Sequence, residues 1–222
     1  MADIFLYGEK EIAYLTSVDK TLGAAIEQIG IIERPVVPDL FTSLIRSIVA
    51  QQISAKAAET ISWRMSERLI EITPETINVT SVEEIQQLGM SMRKAGYIKN
   101  VAAKVLSGEL DIDALNTMSD EDVCIKLSAL NGIGVWTAEM LMIFTMQRPN
   151  ILSWSDLAIQ RGLRMLYRHR KITKELFAKY KRRYSPYATV ASLYLWAIAG
   201  GACELKDYAP MTEAQKKKVR KK

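Results

Sequence analysis

Helix start and stop signals recur along this chain, and they limit what it can fold into. Ser81 followed three residues later by Glu84 has the form of a capping box that opens a helix over 82–88, and Gly89 closes it. Ser119 with Asp122 opens a further helix running through Leu130. Val123, Leu127 and Leu130 recur at helical spacing, as do Trp136, Met140, Ile143 and Phe144, so both segments are expected to bury one face. A longer periodic stretch from Asp39 to about Ile70 breaks at Gln51-Gln52-Ile53-Ser54, which predicts two helices joined by a tight polar turn. Runs of β-branched residues are few. The expected fold class is all-α.

With 222 residues, 49% of them apolar, the chain can bury one domain or two lobes sharing an extended core. No window approaches the roughly 18 consecutive apolar residues of a membrane span. The N-terminus also lacks the basic-then-apolar layout of a signal peptide. No membrane partner and an intracellular location are therefore expected. Cys124 and Cys203 are the only cysteines and His169 the only histidine, too few for a zinc site, an iron–sulfur cluster or a histidine-based triad. Catalysis would have to rest on carboxylates, hydroxyls, lysines or backbone dipoles.

The net charge of +5 depends on a lysine-rich tail. Lys216, Lys217, Lys218, Arg220, Lys221 and Lys222 account for six positive charges, and residues 1–215 hold 24 basic against 25 acidic side chains. Residues 161–183 nevertheless carry ten basic side chains with Glu175 as their one acid. Two readings fit that imbalance: a field that attracts phosphates, or a solvated helix face.

Leu127 to Ala138, read Leu-Ser-Ala-Leu-Asn-Gly-Ile-Gly-Val-Trp-Thr-Ala, is a helix end, a hairpin with two glycines and the start of another helix. Gly132 and Gly134 allow a sharp turn and close approach of a partner, leaving amide N–H groups at the second helix's N-terminus for a phosphate. The same turn could converge the carbonyls of Ser128, Leu130 and Ile133 on a monovalent cation, Na⁺ or K⁺. A Gly-x-Gly turn also serves as an ordinary helix connection. Its continuation is more specific, since a loop containing Pro149 leads through Ser153-Trp154-Ser155-Asp156 into Leu157-Ala158-Ile159-Gln160-Arg161-Gly162.

These pieces resemble the helix-hairpin-helix (HhH-GPD) DNA glycosylase superfamily, and within it the 3-methyladenine DNA glycosylase II branch. Ala50-Gln51-Gln52-Ile53-Ser54, Leu88-Gly89-Met90 and Ser185-Pro186-Tyr187 through Trp196 extend the likeness over roughly residues 35–200. The resemblance implies two helical lobes with a cleft between them, a hairpin lobe at about 36–150 and another made of about 1–35 and 151–210; the lysine-rich composition of 211–222 predicts a basic mobile tail. The resemblance also implies a monomeric enzyme that acts on double-stranded DNA containing damaged bases and needs no cofactor.

By the same resemblance Asp156 is the catalytic carboxylate. At a helix's first turn it would feel the positive dipole end and stabilise an oxocarbenium-like sugar or orient water. Trp136, Met140 and Trp196 correspond to the walls of the pocket for a flipped base, whose aromatic faces suit positively charged alkylpurines. Gln52 corresponds to the wedge that fills the vacated stack, with Gly132, Ile133, Gly134 and Thr137 on the DNA grip. The turn Met90-Ser91-Met92 is a second candidate for the minor groove. Trp136 stands where the lyase branch has a nucleophilic lysine, which implies hydrolysis without strand cleavage.

Three positions depart from the family pattern: Asn131 replaces a hairpin proline, Ser155 replaces an acid, and no glycine or proline adjoins Asp156. The reading is a monofunctional glycosylase of base excision repair. The alternatives are a non-catalytic helix-hairpin-helix protein that binds damaged DNA, or a helical protein-interaction domain.

Overall fold

The computed structural model describes residues 3–210, so the basic tail expected at 211–222 lies outside the described residues. Within them the chain forms α1 (Glu9–Val18), α2 (Lys20–Ile29), α3 (Leu40–Ala50), α4 (Ala55–Leu69), α5 (Pro74–Val79) and α6 (Val82–Gln87). There follow α7 (Met92–Leu106), α8 (Ile112–Leu115), α9 (Asp120–Ser128), α10 (Val135–Phe144), α11 (Leu157–Tyr167), α12 (Lys174–Tyr184) and α13 (Ala188–Ala199). The one extended pairing among the described residues is an isolated bridge between Ile4 and Pro35. The chain is all-α. None of its helices is long and apolar enough to cross a membrane, among the described residues.

Two compact units emerge. The first comprises Pro35–Arg148 with the described residues up to Phe5; the second comprises Leu6–Arg34 with the described chain from Pro149 onward. The earliest described residues belong to the first unit because the Val36 amide donates to the Asp3 carbonyl (2.8 Å) beside the Ile4 bridge.

In the first unit, α7 buries Ala95, Ile98, Val101 and Ala102 on one stripe, against which α3, α5 and α6 pack. Helix starts are fixed locally. Ser81 accepts from the Glu84 amide at the N-terminus of α6 while the Glu84 carboxylate returns to the Ser81 amide, and the Asp39 carboxylate caps α3. At α9 the reciprocal bond is absent, since the shorter Asp122 side chain takes the Ser119 hydroxyl instead (2.7 Å). Arg148 ties the end of the unit back to Asp120 of α9 (3.3 Å) and to the Leu115 carbonyl at the end of α8 (2.7 Å). Helix α10 departs from the expected pattern: it buries Ala138, Leu141, Met142 and Ile143, while Trp136 is 47% exposed and Met140 and Phe144 are half-buried. Nearly every residue of α10 is apolar, so periodicity could not tell which stripe faces inward.

In the second unit α13 is the central element. Ten of its twelve residues are buried, as a helix apolar all round requires. Helix α11 crosses it so closely that a Cβ on Gly162 would lie 2.3 Å from the Leu195 carbonyl oxygen. Buried Asp19 caps α2 and receives the Tyr167 hydroxyl (2.8 Å) and the Arg183 guanidinium (2.6 Å). Burial pushes the Tyr167 and Tyr184 phenols upward, so both stay neutral donors in this network.

Arg164 grips Asp207 with two bonds of 2.8 Å, which holds that carboxyl below its usual value of 3.8. A carboxyl depressed in the folded state stabilises the fold above the unfolded pKa and loses that contribution as pH falls through the folded one. The melting-temperature gap between wild type and Asp207→Asn is therefore expected to be widest near neutrality. It should close as pH drops below the ordinary carboxylate range; thermal melts at a series of acidic pH values check this.

Candidate nucleic-acid interface and catalytic carboxylate

The hairpin begins where α9 runs out. The Leu130 amide bonds the Leu127 carbonyl (3.1 Å) and the Ile133 amide bonds the Leu130 carbonyl (3.0 Å), closing a tight turn. Gly132 sits at φ 88°, and a Cβ there would meet the Tyr97 ring at 2.6 Å, so both conformation and space demand glycine. Ile133 is 3% exposed; its side chain anchors the turn in the core and leaves only its backbone for a partner. Gly134 differs from Gly132: its φ is −89° and a Cβ would touch nothing within 4 Å. The protein's own packing gives no reason for glycine there. It is the N-cap of α10, no side chain caps it, and Gly134, Val135 and Trp136 are exposed, with Thr137 half-buried behind them. The first amides of a helix have no partner within it, so this end presents donors and a positive dipole outward.

The turn between α3 and α4 is fastened to the hairpin. Gln51 Nε2 donates to the Gly132 carbonyl, and Lys94 Nζ donates to the carbonyls of Val49 (2.8 Å) and Gln51 (2.6 Å). Desolvation, joined by Arg93, pushes the Lys94 ammonium below the usual lysine value. Gln52 then stands exposed at the apex at φ 55°, a left-handed conformation that costs a non-glycine residue about 1 kcal/mol. The sequence placed Gln51 in this turn but not its bond to the hairpin, and it did not single out Lys94 or Tyr97. The segment Met90-Ser91-Met92 is largely structural, since Met90 is buried and Ser91 caps α7, leaving Met92 exposed.

Helices α3 and α10 bound a pocket of about 290 Å³. Met140 and Phe144 line one side, Arg46, Ser47 and Ala50 the other. Trp136, one turn before Met140, is outside that lining and projects from the first turn of α10, a helix that contains no lysine.

In the second unit, Asp156 is the N-cap of α11 and only 6% exposed. Its Oδ1 accepts from the amides of Ala158 and Ile159, both at 2.9 Å, so capping alone does not engage Oδ2. The approach to it is fixed without glycine or proline. Buried Thr189 Oγ1 accepts from the Ile151 amide (2.9 Å), Ser192 Oγ donates to the Ile151 carbonyl (2.9 Å), and Gln160 Nε2 donates to the Trp154 carbonyl (2.7 Å). Trp154 packs edge-on against Phe177 at 5.1 Å. Trp196 lines a separate pocket of about 260 Å³ with Ile32, Arg34, Leu193 and Ala197. The structure thus brings Gln52 near the hairpin and Met140 into a pocket of the first unit, and places Asp156 and Trp196 on packed helices of the second.

Residues 45–186 match the family of HhH-GPD superfamily base excision DNA repair proteins. DNA-3-methyladenine glycosylase 1 of Schizosaccharomyces pombe is 33% identical over 181 residues, which are 79% of this chain and 78% of that protein. Among solved structures, a DNA-3-methyladenine glycosidase from Bacillus halodurans superposes with a TM-score of 0.82 at 38% identity, covering 89% of this chain and 93% of that one. A 3-methyladenine DNA glycosylase from Schizosaccharomyces pombe in complex with abasic DNA gives 0.72 at 29% identity over 91% of this chain and all 100% of the other. With Asp156 capping α11 and the hairpin ahead of α10, this chain belongs to the HhH-GPD superfamily of base excision DNA repair proteins.

Proposed function

We propose that the protein is a monofunctional DNA glycosylase that hydrolyses the N-glycosidic bond of alkylated purines in double-stranded DNA, acting as a monomer wherever the cell keeps its DNA. The observation that carries this reading is Asp156, a buried carboxylate whose Oδ1 is fixed by two helix amides. As the C1′–N bond breaks, the electron pair leaves with the base and positive charge grows on the sugar. A fixed anion stabilises that charge, orients the water that attacks C1′ and takes up the proton that this water loses. An alkylated purine already carries positive charge, so it departs without a strong general acid.

The uncapped N-terminus of α10, with bare Gly134, suits a DNA phosphate, and exposed Gln52 suits the space a flipped base vacates. Trp136, Met140 and Trp196 would supply the faces that hold the flipped base. The carbonyls of Ser128, Leu130 and Ile133 would hold a Na⁺ or K⁺ ion that bridges to phosphate. These neutral oxygens suit such an ion, and that of Leu130 keeps a lone pair beside its bond from Ile133. With α10 offering no lysine, no Schiff base forms and the reaction stops at an abasic site.

Two experiments follow. A duplex carrying one alkylated purine should yield sites that break only on alkaline treatment, with no adduct trapped by borohydride; a trapped adduct would contradict the hydrolytic reading. Gly134→Val should weaken binding to abasic duplex at least about tenfold by covering the amides, with melting temperature nearly unchanged because the space is open. A melting temperature that falls with affinity would mean that Gly134 serves the fold instead.

A further inference from the structure

The second unit carries a surplus of cations that the proposed reaction does not use. Asp207 holds Arg164 and Arg161, and Asp19 holds Arg183. Arg168, Arg170, Lys171, Lys174, Lys181 and Arg182 are exposed. They gather where α11 gives way to α12. Arg168 is the C-cap of α11, Arg170 and Lys171 lie in the connection, Lys174 opens α12, and Lys181 follows two turns later on the same face. Phe177, Tyr180 and Tyr184 form the buried stripe of α12, and Lys174 and Lys181, one turn from its members, stand exposed along its edge. Glu175 is the one acid between Arg161 and Arg183.

Helix α11 also sets the distance of this corner from the carboxylate. Asp156 caps its first turn and Arg168 its last, so at about 1.5 Å per residue they stand roughly 18 Å apart. Duplex DNA rises about 3.4 Å per step, which makes that separation about five base pairs. A carboxylate working at the sugar of a damaged nucleotide leaves the corner beyond reach of that nucleotide, so any phosphates the corner meets on the duplex are flanking ones. We propose that the α11–α12 corner is a second phosphate-binding surface that holds the DNA backbone about five base pairs from the excised base. This rests on reading Asp156 as the group at the sugar.

The test uses abasic duplexes of about eight and about 24 base pairs with the abasic site central, since only the longer one reaches the corner. Wild type should bind the longer duplex more tightly in fluorescence anisotropy. A variant carrying Arg170→Gln, Lys171→Gln, Lys174→Gln and Lys181→Gln should lose on the order of tenfold on the longer duplex, with a salt slope smaller by about three to four, and nothing on the shorter one. All four side chains are exposed, so an unchanged melting curve is expected. Equal losses on both lengths, no loss on either, or a wild type indifferent to length would each overturn the proposal. Base release by the variant from saturating long duplex should match wild type. A wild type that releases no base from any lesion would fail the catalytic reading while leaving the length dependence to be judged by itself.

Discussion

Asp156→Asn is expected to slow base release from an alkylated duplex by between about a hundredfold and a thousandfold, with affinity for abasic duplex unchanged within about twofold. The substitution removes charge and keeps shape. Asparagine Oδ1 can still accept from the amides of Ala158 and Ile159, so the start of α11 stays capped and the fold is retained. What disappears is the anion that stabilises the developing sugar cation. Single-turnover rates at saturating enzyme isolate that step from binding. A variant that excises at near wild-type rate would remove Asp156 from catalysis, and one that melts at much lower temperature would show that the charge supports the fold.

Gly162→Ala is expected to have the largest effect on stability. Its Cβ would lie 2.3 Å from the Leu195 carbonyl oxygen and 3.0 Å from the Leu195 carbonyl carbon, both backbone atoms that no rotamer change can move. Helix α11 must separate from α13, which buries most of its residues, at a cost of about 3 kcal/mol. That corresponds to a melting point lower by roughly 10 °C for a chain of this size. Because α11 starts at Asp156, base release should fall as well. Gly96→Ala is the control: within α7, where a Cβ would meet nothing within 4 Å, alanine should raise stability by about 0.5 kcal/mol. Equal melting points for the two variants would contradict the close crossing.

Local chemistry was legible in the sequence, and long-range pairing was not. The Ser81 and Glu84 capping box, the break between α3 and α4 and the hairpin before α10 each depend on residues within a few positions of one another. The exposure of Trp136 was hidden because almost all of α10 is apolar. The basic stretch at 161–183 looked uniform, yet Asp19 and Asp207, far away in sequence, neutralise three of its members. No glycine or proline adjoins Asp156 to stiffen the end of its loop locally. The loop is instead held by Thr189 and Ser192, hydroxyls on a helix more than thirty residues later. Gln51 was visible as part of a polar turn, but its bond to the Gly132 carbonyl needed the fold. At the site itself, residue types showed which chemistry was possible, and the amides on Asp156 and the open space at Gly134 show how the chain arranges it.

Release of free base is the most direct measurement of the central claim. Duplexes each carrying one lesion, among them 3-methyladenine, 7-methylguanine, ethenoadenine, hypoxanthine and uracil, would be incubated with excess protein and the released bases resolved by chromatography. The account predicts free alkylated purine appearing in step with alkali-labile sites on otherwise intact strands. No free base from any of these duplexes, with the protein folded and bound to them, would contradict it.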